Sequence, residues 1–218
     1  MQGYSAYTLI SRSPGRLMRT LIVIPIIHTE QDMGSLLERI KQEYVTRYGH
    51  EKWAEHLKSI DEVWSGIRRM IAALELPYAS VRLYQDGLPQ CGKEADIVKE
   101  VAARGSKNHQ LLVELVEQGA RLMGTEDPNL LLQEYQFLQG ALGAKRDPDQ
   151  ENQWKEQSRR LLSERDRFIA GRINATLSSG EIGLLFLGMT HSVEPLLDAN
   201  ILVRHLLPSL RERQAKTE

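Results

Sequence analysis

A chain of 218 residues, 41% hydrophobic and 26% charged, has the length for one α/β domain with a full core, and its formal net charge of −1 argues against general binding to nucleic acid or a membrane surface. Cys91 is the sole cysteine, which excludes an intramolecular disulfide and a cysteine-based zinc motif; next to Gly92 it reads as a loop residue. No apolar run approaches the roughly 18 residues of a membrane span. Arg12, Arg16 and Arg19 lead into a short apolar run and then a polar His-Thr-Glu-Gln-Asp stretch rather than a cleavage site, so a cytoplasmic protein is expected.

In chain order, Tyr4–Ser11 has strand composition, and Ser13-Pro14-Gly15 is a turn that admits a hairpin into the apolar run Leu21–Ile27. That run ends on His28, followed by Thr29 and Glu30. Ser35-x-x-Glu38 forms a capping-box pattern, and Leu36, Leu37, Ile40, Tyr44 and Tyr48 keep helical spacing up to Gly49. A second helix is expected over His50–Leu74, with Trp53, Leu57, Ile60, Trp64, Ile67 and Ile71 on one side as core residues. Val81–Tyr84 alternates as a strand and delivers Gln85 and Asp86. Helices follow at Glu94–Ala103 and Asn108–Glu117. A short strand over Ala120–Thr125 delivers Glu126 and Asp127, and Asn129–Leu142 reads as helix. Lys145–Asn152 is a polar connection inside one domain spanning 1–218. A long helix is expected over Gln153–Leu177. Ile182–Leu187, bounded by Gly180 and Gly188, then reads as a central buried strand with His191 just past its end, and a last helix as covering about Glu194–Arg211.

Strands alternating with helices predict an α/β fold: a single domain with a mainly parallel sheet covered by helices on both faces. In such a sheet His28 and Glu30, Gln85 and Asp86, Glu126 and Asp127, and His191 all fall on the carboxyl edge, where open α/β sheets bind ligands. Imidazole and carboxylate groups together suit Zn, Mn or Fe as a divalent metal. The bland alternative is that these residues cap helices and solvate loops, for which Asp32, Ser35, Asp127 and Ser192 are well suited. His50, His56, His109 and His205 fall in helical patterns or at their ends and read as surface or capping groups. Arg165 and Arg167, in Ser163-Glu-Arg-Asp-Arg-Phe168, have two readings: salt-bridged surface residues, or one of them, with Arg165 the candidate, an anion-binding group at the carboxyl edge. The chain has no Gly-x-Gly-x-x-Gly, P-loop or nucleophile elbow, which leaves nucleotide binding and serine hydrolysis without support.

The closing stretch RDRFIAGRINATLSSGEIGLLFLGMTH resembles the last motif of the TraB/Tiki and erythromycin-esterase/ChaN-like superfamily, in which an arginine-rich helix precedes a strand and GxxH. IPIIHTEQD is similar to that superfamily's first strand, and LLVELVEQGARLMGTED to its middle helix–strand unit. Pro25 stands where the first motif usually has glycine, and Gln85-Asp86 where glutamate is common. The resemblance implies a compact α/β fold and three activities by branch: metal-dependent peptide hydrolysis, ester hydrolysis assisted by His and Glu, or haem binding. It implies His28 and His191 as metal ligands with Glu30 or Glu126 as the acid, and Glu30, Glu126 and His191 as catalytic groups. The expected function is a hydrolase of a small-molecule or peptide substrate. The alternative is a non-enzymatic protein holding haem or another anion in the same pocket.

Overall fold

The computed structural model describes residues 18–26, 37–141 and 147–207. Five strands form one sheet: β1 Arg19–Ile26, β2 Val81–Gln85, β3 Arg121–Met123, β4 Ile182–Gly188 and β5 Ile201–His205. Their order is β3-β2-β4-β1-β5, and every pairing is parallel. The apolar run at 182–187 is thus the middle strand, and β1 lies directly beside it with Ile22 opposite Leu184 and Ile26 opposite Gly188. The proposed hairpin strand at Tyr4–Ser11 lies outside the described residues.

Side chains alternate across each strand, so the apolar runs feed two cores. Ile22, Ile24, Val81, Leu83, Leu184 and Phe186 point to one face. There they meet helices α2 (His50–Ala72), α3 (Glu94–Ala103) and α4 (Lys107–Glu117) through Trp64, Ile67, Ile71, Val98, Leu112 and Leu115. Leu21, Val23, Tyr84, Leu185 and Leu187 point the other way, onto Ile169, Ala170 and Ile173 of α6 (Pro148–Thr176). Helix α1 (Leu37–Tyr48) packs on α2 across Gly49, whose φ of 87° favours glycine at the sharp turn between the two helices. Helix α5 (Pro128–Ala141) lies against α6. No helix among the described residues is long and apolar enough to cross a membrane.

Two expectations fail. The connection at 145–152 is helical from Pro148, because Asp147 and Gln150 form a capping box with proline at the first helical position. The helix expected over 194–211 is instead a single 3-10 turn at Glu194–Leu196 followed by strand β5. Tertiary partners decide this. Arg19, 7% exposed at the start of β1, donates to Asp198 at 2.7 Å and also to Asn200, which pins the turn so that Ile201–His205 joins the free edge of β1. The segment beyond 207 lies outside the described residues.

After β2 the chain runs outward to β3, whereas after β4 it runs the other way to β5. The crevice between the carboxyl ends of β2 and β4 is therefore the topological switch point, where sheets of this kind bind ligands.

Candidate metal centre

At that crevice the loops after β2 and β3 are zipped together by Gln90 N donating to Glu126 O at 2.8 Å and Glu126 N donating to Leu88 O at 3.0 Å. The zipper fixes Asp86 and Glu126 beside each other. Glu126 is fully buried and accepts from Gly87 N at 3.1 Å. Asp86 Oδ2 accepts from Gly188 N at 3.0 Å, which ties the end of β2 to the end of β4. His191 follows in a tight turn, its N–H on Gly188 O at 3.2 Å, and its Nε2 lies 3.4 Å from Asp86 Oδ2.

Helix α6 supplies two consecutive charged residues at positions that carry the buried face of that helix. Arg165 donates through Nε to Glu126 Oε2 at 2.9 Å and through Nη2 to Glu126 Oε1 at 2.5 Å and Asp86 Oδ1 at 2.7 Å. Its Nη1 reaches Glu134 of α5 at 2.5 Å. Asp166 takes the other histidine nitrogen, with His191 Nδ1 at 2.6 Å from Oδ1, while Ser192 N donates to Oδ2 at 3.0 Å. A carboxylate on Nδ1 fixes the orientation of the ring and leaves Nε2 facing Asp86.

The cluster is closed and short of positive charge. The side chains of Asp86, Glu126 and His191 are 9%, 0% and 3% exposed. Three carboxylates, on Asp86, Glu126 and Glu134, pair with the one guanidinium, and a fourth, on Asp166, pairs with His191. Burial pushes the His191 imidazole down, but hydrogen bonds to Asp166 and Asp86 outweigh it and raise its pKa to about 9. Burial likewise pushes Asp86 up, yet His191 and Arg165 hold it below the usual carboxylate range. Glu126, more deeply buried and beside the Asp86 charge, is pushed up despite Arg165. The proton on His191 thus helps to balance these acids at neutral pH.

Asp86, Glu126 and His191 each offer one ligand atom, and these lie within 4.8 Å of one another. Three donors at bonds of about 2.0–2.2 Å in a tetrahedral shell stand about 3.3–3.6 Å apart, so the widest spacing in this cluster would have to close by about an ångström on binding an ion.

Of the residues singled out from sequence, Glu126, His191 and Arg165 come together here. His28 and Glu30 lie outside the described residues. Asp127 caps α5, its Oδ1 accepting from Asn129 N at 2.7 Å, as the bland reading had it. Cys91 is exposed in its loop. Asp86, noted only as one of several edge acids, is central, and Asp166 and Glu134 were missed. A cleft of about 660 Å³ between α5 and α6 is lined by Gln133, Gln136, Gln153 and Gln157 and contains none of the cluster's residues. Convergent titratable groups with displaced pKa values, not concavity, mark the stronger site.

Gly188 explains one part of the Gly-x-x-His spacing. A Cβ there would stand 2.8 Å from Asp86 Oδ2 and 3.6 Å from His191 Cδ2, and Asp86 is already held by Arg165. Gly188→Ala is therefore expected to leave the strand folded and to weaken divalent-ion binding by about 10–100-fold, as outer-sphere changes do. Isothermal titration with Mn²⁺ gives the result; unchanged affinity would mean that Asp86 is not a ligand.

A scan against protein-family models, a search of curated proteins and a search of solved structures each returned no match.

Proposed function

We propose that the chain is a metal-assisted hydrolase whose centre is Asp86, Glu126 and His191 at the β2–β4 switch point. The carrying observation is the convergence of these three ligand atoms within 4.8 Å, from three separate strand ends. A mixed nitrogen and oxygen donor set of this kind suits Zn, Mn or Fe, and three protein ligands leave a position for water or substrate. A bound ion would lower the pKa of its water and polarise a carbonyl oxygen. The chain's own residues hold the arrangement. Asp166 orients His191, the Gly188 N–H holds Asp86, and the Gly87 N–H holds Glu126. The surplus of carboxylates draws a cation rather than an anion, and four of the five N–H donors of Arg165 are engaged with the chain's own acids. The likeness of GLLFLGMTH to the closing motif of the TraB/Tiki and erythromycin-esterase/ChaN-like superfamily supports the same reading.

The near-complete burial of the three ligands also favours a second reading, an ion retained without turnover. One experiment separates the two. Chelator-treated protein is titrated with Zn²⁺ and Mn²⁺ while its melting temperature is followed, then assayed on a generic ester and a peptide mixture. Ion at 100 times its Kd should stabilise by about 2.7 kcal/mol, and His191→Ala and Asp86→Asn should abolish the shift. Binding with turnover supports the hydrolase. Binding without turnover leaves the retained ion, and no binding by the native chain removes the metal centre.

A further inference from the structure

Arg165 is paired with both acids of the proposed donor set. Its Nη2 bridges Glu126 Oε1 at 2.5 Å and Asp86 Oδ1 at 2.7 Å, and its Nε holds the second Glu126 oxygen at 2.9 Å. Both carboxylates are in the proposed donor set. A divalent ion about 2.1 Å from the same Glu126 oxygen would stand less than about 5 Å from Nη2 even with the two cations on opposite sides of it. At 0–9% exposure there is little solvent to screen that repulsion. The ion and the guanidinium therefore compete for Asp86 and Glu126.

The structure also supplies a place for the guanidinium to go. Nη1 already contacts Glu134, which belongs to a different element, α5, and is 31% exposed, the most solvated acid of the cluster. Moving off Asp86 and Glu126 while keeping Glu134 is a pivot about an existing ion pair. Glu134 plays no part in holding Asp86, Glu126 or His191 except through Arg165.

We infer that Arg165 is the resident cation of this site and that an incoming divalent ion displaces its guanidinium from Asp86 and Glu126 toward Glu134. The inference rests on the metal-centre reading above and adds its regulation: metal affinity is set by exchange with an internal cation, and the metal-free chain stays folded because Arg165 neutralises the acids in the ion's absence. Removing the competitor should tighten the ion; removing Glu134, the receiving group, should loosen it.

The test uses the full chain with Mn²⁺ and Zn²⁺ as probes, read by isothermal titration and by the ion-induced change in melting temperature. Arg165→Met is expected to bind each ion roughly tenfold or more tightly than the native chain, within the ordinary range of coupling between sites, and to melt lower without ion and gain more from it. Glu134→Gln is expected to bind the ion several-fold more weakly, a change of the same kind and opposite sign. Because Glu134 is about a third exposed, that variant is expected to fold and keeps the test open should Arg165→Met fail to do so. Native binding with no tightening in Arg165→Met, or with unchanged affinity in Glu134→Gln, overturns the exchange while the metal centre stands. If the native chain binds neither ion, the metal centre itself fails and the exchange fails with it.

Discussion

Leu185→Ala is expected to lower the unfolding free energy by about 2–5 kcal/mol, the range found when a large core side chain is cut back. Leu185 is 1% exposed in the middle strand, opposite Val23 of β1 on one side and Tyr84 of β2 on the other. It joins the core built against Ile169 and Ile173 of α6. Both flanking strands are locked to β4 by ladder hydrogen bonds, so the neighbours have little freedom to collapse into the space, which places the cost above that of a surface or edge position. A urea titration checks this: the midpoint should fall with the slope unchanged, since the surface exposed on unfolding is the same. A loss below about 1 kcal/mol, typical of sites outside the core, would mean that β4 is not where the core is built.

The strands were legible because a fully buried parallel strand must be apolar on both faces. Leu21–Ile26 and Ile182–Leu187 are the chain's compact apolar runs, and both form such strands, side by side. Strand β5 was not legible for the complementary reason. Ile201–His205 is an edge strand with burial falling off toward Arg204 and His205, and its leucine spacing continues that of Leu196 and Leu197 into a helical pattern. What makes it a strand is Arg19, some 180 residues earlier, holding Asp198 and Asn200. Such a contact leaves no periodicity in the sequence.

The site divides in the same way. Glu126 and His191 were found because polar residues just past a buried strand stand out against the apolar run. Asp166 was missed because Ser-Glu-Arg-Asp-Arg in a helix looks like a solvated face, although its place three residues before Ile169 and seven before Ile173 puts it on the inward stripe. In fact Arg165 and Asp166 fall on the buried side between Leu161 and Ile169, a position that a charged residue holds only when paired. The available signal was this conflict: with Leu161, Ile169 and Ile173 facing the core, Arg165 had to face it too. Glu134 carried no such signal, since its partner is on another helix.

The stability of the metal-free chain should fall steeply above neutral pH, and His191 should be the cause. The imidazole, 3% exposed between Asp86 and Asp166, is raised from its ordinary 6.5 to about 9 in the folded state. A group whose folded pKa is raised stabilises the fold fully at pH below its unfolded value, and that contribution disappears as pH climbs through the folded value. The window therefore runs from about pH 6.5 to about pH 9, and the shift corresponds to about 3 kcal/mol across it. Asp86 acts at the opposite end. Its folded pKa is depressed, so its contribution is present at neutral pH and is lost only on strong acidification, outside the histidine's window. Urea titrations at several pH values in chelator should show the native midpoint dropping between pH 6.5 and 9. His191→Gln, which keeps a side chain of similar size but carries no proton to lose, should be less stable at pH 6 and nearly flat across the same range. A native curve as flat as that of His191→Gln would mean that the imidazole is neutral in the folded chain, and that the surplus of acid around it is balanced by something other than its proton.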